Sequence, residues 1–304
     1  ICRELPGNLI LLIKYPVLVL PKNDNFQSDN LYLNWLSASQ KQDSEQTIKA
    51  IPKDTDLLII DNYALDEKWH KRLRPYTKKI MVIDDLADRK FDCDMLLNQN
   101  LGFHIKDYDD KVPNSCELLL GCDYVLLRPE FQLLRKKALV KRKRTKVIKN
   151  ILISIGGVDQ SNKTYDILQD IPDSFNIVVV LGGQSQHNKM ITNYAKIKKN
   201  VNVIVDTDNI SGLMLDADLA IGAGGSSSWE RCCLGLPTLL CVLADNQRGA
   251  AERLEDLGAV IIIKNLKTDL QLIIENSDYQ NIMSNNAKSI CDGLGCKRVG
   301  SYVN

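Results

Sequence analysis

The stretch Gly222–Gln247, GAGGSSSWERCCLGLPTLLCVLADNQ, decides how this chain is read. It follows the apolar run Leu219-Ala220-Ile221, which reads as a strand. Gly222, Gly224 and Gly225 then give a loop whose backbone a ligand can approach closely. Ser226, Ser227 and Ser228 follow as hydroxyl donors and candidate N-cap residues. Trp229–Leu234 continues as a short amphipathic helix, and Gly235-Leu236-Pro237 stops it. A glycine-rich turn that opens a helix leaves N–H groups unpaired at the positive end of the helix dipole, a ready site for phosphate. A second strand, Thr238–Val242, delivers Asp245, Asn246 and Gln247 to the same edge, where ligands of open parallel sheets bind. An ordinary βα turn with a capped helix has the same shape, because a lone glycine motif is a weak signal.

Outward from this stretch the α/β pattern recurs. On its N-terminal side Asn150–Ile155 reads as a strand leading into a second glycine turn, Gly156-Gly157, and Asn176–Leu181 as a strand ending at Gly182-Gly183. Val201–Val205 precedes the central stretch and Ala259–Ile263 follows it, as further strands of a doubly wound nucleotide-binding domain. The first half repeats the alternation. Val17–Leu20 is a short apolar run stopped by Pro21. Leu57–Ile60 and Ile80–Ile83 are Ile-rich runs typical of buried parallel strands, with helical character at Glu67–Leu73 between them, and Met95–Leu97 and Cys116–Leu120 follow. Between the halves, Leu133–Lys149 carries the basic runs Arg135-Lys136-Lys137 and Lys141–Arg144 without interleaved aromatics, which predicts a solvated linker. The expected division is therefore 1–140 and 147–304.

The 304 residues suffice for two ordinary domains. Lysine plus arginine, 39, nearly cancel aspartate plus glutamate, 38, so global charge gives no argument for nucleic acid or an anionic membrane as partner. Nine cysteines, an odd number without a C-x-x-C pair, read as reduced thiols of a cytoplasmic protein. Leu9–Leu20 is apolar but broken by Lys14 and Pro16, too short to span a bilayer and unlike a signal peptide.

Motifs along the whole chain make a resemblance specific. CRELPGNLI at Cys2–Ile10, DNYALDEKW at Asp61–Trp69, VIDDLADRKFDCDMLLNQNL at Val82–Leu101, LRPEF at Leu127–Phe131, ISIGGVD at Ile153–Asp159 and DGLGCKRV at Asp292–Val299 recur with the central stretch in one order and spacing. Together they resemble the UDP-2,4-diacetamido-2,4,6-trideoxy-β-L-altropyranose hydrolases of the pseudaminic acid pathway, which are similar in fold to UDP-sugar glycosyltransferases of the GT-B type. The resemblance implies two Rossmann-like domains facing a cleft, the first sugar-facing and the second UDP-binding, with a UDP-sugar as substrate and neither cofactor nor metal.

It also implies roles. Gly224, Gly225, Ser226 and Ser227 suit the diphosphate, and Gly156 and Gly157 complete the cradle. Glu230 matches a glutamate that takes ribose hydroxyls in the related transferases; as a first-turn acid it would simply complement the helix dipole. Uracil would lie against Val203–Asp206 or the turn after it. Asn246 matches a substrate-binding asparagine, with Gln247 beside it, and Tyr63 matches a tyrosine facing the sugar, although a rim tyrosine is as good a reading of Tyr63. Asn246 and Tyr63 are thus the expected catalytic residues. Asp84-Asp85 looks like a metal pair but lacks further ligands, which favours a strand-end or cap role.

The family's base resembles a histidine in a Gly-x-Gly-His loop after the first strand. Of His70, His104 and His187 none lies in such a loop, and each reads as a surface residue. The motif match begins at Cys2, after the position of that loop, which gives the expectation of an incomplete first domain and a chain without its base. A UDP-sugar glycosyltransferase and a non-catalytic nucleotide-sugar-binding protein are the rival readings. Sugar stereochemistry and oligomeric state stay open.

Overall fold

The computed structural model describes residues 1–3, 13, 15–23 and 25–303, apart from the side chain of Asn246. Most of the Cys2–Ile10 motif and part of the Leu9–Leu20 stretch lie outside the described residues. The chain forms two compact units, one taking in 1–98 and 103–120 and the other 99–102 and 121–302.

In the first unit α1 (Leu31–Leu36) and α2 (Gln40–Ala50) precede β1 (Thr55–Asp61), α3 (Glu67–Leu73), β2 (Thr77–Ile83), β3 (Met95–Asn98) and β4 (Glu117–Leu120). Each helix begins where a short polar side chain accepts first-turn N–H groups: Asn30 from Tyr32 and Leu33, Ser39 from Gln42, and Asp66 from Lys68. The strands pair in parallel in the order β1-β2-β3-β4. The apolar runs of β2 and β3 are largely buried, with Ile80, Leu96 and Leu97 wholly inside, whereas in the β1 run only Ile60 is buried and Ile59 is 55% exposed. Val17–Leu20 departs from expectation. Its one pairing among the described residues is a single bridge from Val19 to Cys2, and Leu18 and Val19 are about half exposed, so it is not a strand of this sheet.

His70 overturns its reading as a surface residue. Its side chain is fully buried in α3, stacked on Phe91 with centroids 6.0 Å apart, and its Nδ1 accepts from the Asp92 N–H at 3.2 Å. A polar-looking helix hid it, because Trp69, His70 and Leu73 supply its buried face. Burial pulls the imidazole down from its ordinary 6.5 to about 4. The unfolded chain therefore binds a proton below pH 6.5 that the folded chain refuses until about pH 4. The neutral imidazole's contribution is fully present above pH 6.5 and is lost as pH falls from 6.5 towards 4, by about 3 kcal/mol in total. Urea unfolding at pH 7 and pH 5 should show this loss in the wild type. It should be absent in His70→Gln, whose amide oxygen can still accept from Asp92; equal slopes in the two proteins would refute it.

The second unit is built from α4 (Pro129–Arg144), β5 (Asn150–Ser154), α5 (Lys163–Asp170), β6 (Asn176–Leu181), α6 (Asn188–Ile197), β7 (Val201–Val205), α7 (Ile210–Asp216), β8 (Leu219–Ala223), α8 (Ser226–Cys233), β9 (Thr238–Cys241), α9 (Asp245–Asp256), β10 (Ile261–Ile262), α10 (Leu266–Glu275), α11 (Ser277–Ile290) and α12 (Gly295–Val303). All its strands are parallel, in the order β10-β9-β8-β5-β6-β7. The chain runs outward from β5 to β7, then returns to the other side of β5 for β8, β9 and β10. This is the dinucleotide-fold order, with its switch point between β5 and β8, where ligands of such sheets bind.

The expected linker is corrected. Residues 129–144 form α4, which packs on the second unit through Phe131, Ala138 and Arg142, all buried. Of the basic residues that suggested solvation, Lys136, Lys137, Lys143 and Arg144 are exposed, but Lys141 and Arg142 serve as caps. Arg142 donates to the carbonyls of Ala217 and of Met214, the latter at 2.6 Å, and Lys141 pairs with Asp218 at 2.9 Å. Cations at the C-terminal end of α7 satisfy carbonyls that the helix leaves free. The division consequently falls at Leu120/Gly121 and not within 140–147.

Candidate functional site

At the switch point β5 and β8 lie side by side, with Ser154 paired to Gly222. The two glycine turns, Gly156-Gly157 and Gly222–Gly225, thus leave the sheet from neighbouring strand ends. A Cβ on Gly156, Gly157 or Gly225 would meet nothing within 4 Å, so the space beside these turns is open. Gly225, at φ +125°, is the N-cap of α8, a conformation that L side chains rarely adopt. The helix begins at Ser226, so the serines are first-turn residues and not the cap itself. Among the described residues only the Ser228 N–H of that turn is taken, by the Gly225 carbonyl at 2.9 Å. Ser226 is exposed and Ser227 half-buried. Free N–H groups and hydroxyls stand at the positive end of an eight-residue helix, an arrangement chemically suited to an anion.

At its other end α8 closes as the sequence predicts. The N–H groups of Gly235 and Leu236 donate back to the carbonyls of Cys232 and Arg231 at 2.9 and 3.0 Å.

Glu230 is the fifth residue of α8, and the first turn holds no acid, which corrects its reading as a dipole-complementing residue. Burial raises its carboxyl above the usual range, opposed by the charges of Arg128 and Arg231, and no hydrogen bond contributes to the shift. A half-buried carboxylate with free acceptor positions suits hydroxyl groups of a ligand. Asn246 lies in the first turn of α9, its side chain outside the described residues. Gln247 reaches the same edge, but its Oε1 accepts from the Leu243 N–H at 3.0 Å and so holds the β9–α9 loop.

Arg231 went unnoticed in the sequence. Only 2% exposed, its guanidinium donates to the Ala223 carbonyl at 2.7 Å, to Ser228 Oγ at 3.0 Å and to Ser227 Oγ at 3.1 Å. An arginine three and four residues after two serines on a helix lies on their face, a spacing that could have signalled the contact.

In the first unit the Tyr63 hydroxyl donates to Asp85 Oδ2 at 3.0 Å. Burial, then the Asp85 charge, pushes the Tyr63 hydroxyl far above its usual value, and burial also raises the Asp85 carboxyl. Tyr63 packs on Tyr32, centroids 5.2 Å apart, and Tyr32 meets the 60%-exposed Trp35 edge-on. The Asp84-Asp85 pair divides. Asp84 is buried and accepts from the N–H groups of Leu86 and Ala87, from the Tyr108 hydroxyl and from Arg89, a strand-end role that uses its acceptors fully. Among the described residues no group of three His, Cys, Asp or Glu is arranged to hold a metal ion, and no helix is long and apolar enough to cross a membrane.

Both units are α/β with parallel sheets, and the structural neighbours of this fold are GT-B glycosyltransferases and epimerases. Residues 150–293 match the glycosyltransferase family 28 C-terminal domain. The chain is 28% identical over 259 residues to the UDP-2,4-diacetamido-2,4,6-trideoxy-beta-L-altropyranose hydrolase of Campylobacter jejuni, which covers 84% of this chain and 85% of that one. It is 32% identical over 225 residues, 70% of its length, to the uncharacterized protein MJ1062 of Methanocaldococcus jannaschii, of which it spans only 45%. Among solved structures, the UDP-GlcNAc 2-epimerase of Neisseria meningitidis bound to UDP-GlcNAc shares the fold at a TM-score of 0.60 and 14% identity, covering 94% of this chain and 85% of that one.

Proposed function

We propose that the chain is a UDP-sugar hydrolase of pseudaminic acid biosynthesis, acting in the cytoplasm. It releases UDP from a UDP-linked 2,4-diacetamido-2,4,6-trideoxy sugar by attack of water at the anomeric carbon. The observation that carries this reading is the pair of open glycine turns at the switch point, lying within the region that matches a glycosyltransferase domain. In this reading the diphosphate rests on Gly156, Gly157 and Gly224–Ser227, Glu230 accepts from the ribose, and Asn246 and Gln247 hold the sugar. Donors aimed at the departing UDP oxygen lower the barrier by stabilising charge that develops as the glycosidic bond breaks. The relative named as a hydrolase supports water as the acceptor.

The glycosyltransferase domain match favours a second reading, in which an acceptor sugar takes the place of water. Product analysis with and without an acceptor separates the two. Calorimetry with UDP tests the shared part. Ser227→Ala should weaken binding by about 3–10-fold, and Glu230→Ala by about tenfold, the worth of a neutral and of a charge-assisted hydrogen bond. Affinity unchanged in both variants would show that UDP does not occupy this loop. Binding without turnover of any UDP-sugar would leave a nucleotide-sugar-binding protein.

A further inference from the structure

Among the described residues Arg231 presents a buried charge with no carboxylate in contact, the neighbouring Glu230 acting on it only at longer range. Its side chain is all but inaccessible, no carboxylate among the described residues lies within ion-pair distance, and its Nε finds no partner. An isolated guanidinium in a protein interior is costly unless it is paired or its hydrogen bonds are met. Here three bonds are met, all by the anion loop: the carbonyl that ends β8 and the hydroxyl oxygens of Ser227 and Ser228. The loop is also cut to fit the arginine. A Cβ on Gly222 would stand 2.5 Å from Arg231 Nη1 and 3.1 Å from the Ser154 carbonyl oxygen. Glycine at 222 therefore makes room for the guanidinium as much as for a ligand.

We propose that Arg231 is a positioning residue that makes this loop selective for ligand charge: it fixes the Ser227 hydroxyl from beneath and supplies the buried positive charge for which a diphosphate is the counter-ion. By donating to Ser227 Oγ, the guanidinium leaves the hydroxyl's own O–H free to donate to an anion. Burial lowers Arg231 only to about 10, so it stays protonated at neutral pH. The screening that weakens a surface arginine is largely absent here, because water does not reach it. This inference rests on the reading of the loop as a UDP site and adds the source of its charge preference.

The test is calorimetry of the full chain with UDP, UMP and uridine, together with protection against thermal unfolding by inorganic pyrophosphate. Wild type should rank UDP above UMP above uridine. Arg231→Gln should weaken UDP by about tenfold or more while changing uridine less than about twofold, as expected for loss of a charge-assisted contact. Arg231→Lys, which keeps the charge but not the fork, should recover part of the pyrophosphate protection. Equal losses for UDP and uridine would mean a merely structural arginine, and a lysine variant no better than glutamine would remove charge as the cause. Should the glutamine variant fail to fold, wild type still decides: uridine binding as tightly as UDP would overturn the inference. If wild type binds none of the three, the UDP site itself is wrong, a result distinct from the others.

Discussion

Trp229→Ala should lower the stability of the second unit by about 3–5 kcal/mol, the range for emptying a large aromatic site in a packed core. Trp229 is 2% exposed and shares a buried cluster with Phe131, Leu152, Leu240 and Leu254, which joins α8 to α4, to the sheet and to α9. Neighbours held by strands β5 and β9 have little freedom to collapse into the space, so the cavity penalty adds to the lost transfer free energy. A loss of this size is a large part of the margin that keeps an ordinary domain folded. Trp229→Phe, keeping a ring in the site, should cost much less. The consequence reaches the ligand, because Trp229 anchors the helix whose first turn carries Ser226 and Ser227. UDP affinity should fall along with stability. Urea unfolding and UDP calorimetry on one preparation give both numbers, and a destabilisation below about 1 kcal/mol would mean that the α8 core face is not as described.

How much of this was legible in the sequence depends on what each residue answers to. The strands of the second unit were legible because parallel strands buried on both faces leave continuous apolar runs, and Asn150–Ser154, Asn176–Leu181 and Leu219–Ala223 fall within a residue or two of their predicted limits. The glycine turn at 222–225 was legible because its chemistry is local. Residues 129–144 were misread because a run of arginine and lysine looks solvated in one dimension. Two of its cations, Lys141 and Arg142, meet the carbonyl end of a helix more than seventy positions away, a long-range contact that composition does not encode. His70 was misread for a related reason: its burial is set by Phe91 and the Asp92 N–H, both outside its helix. Arg231 was missed because arginine is expected at the surface, and only the fold shows that the β8 end and two serine oxygens enclose it.

Gly182→Ala and Gly157→Ala should separate the two uses of glycine at this edge. A Cβ on Gly182 would stand 2.1 Å from the Gly157 carbonyl oxygen and 2.7 Å from the Gly157 Cα, backbone atoms that no rotamer change moves aside. Relief requires the end of β6 or the Gly156-Gly157 turn to shift, at a cost of about 1–3 kcal/mol or more in stability. Because the shifted turn is half of the proposed cradle, UDP affinity should drop as well. At Gly157 the added Cβ meets nothing within 4 Å, so Gly157→Ala should leave stability within about 0.5 kcal/mol of wild type. The same methyl would stand in the space that a diphosphate must enter, and UDP binding should weaken although the fold does not. Chemical unfolding and UDP calorimetry on the two variants therefore predict opposite patterns of stability and a shared loss of affinity. Unchanged affinity in Gly157→Ala would show that the ligand does not approach this turn, leaving the anion to the α8 N-terminus alone. Unchanged stability in Gly182→Ala would show that the turns after β5 and β6 are not in backbone contact, and their close fit would no longer explain why glycine stands at 182.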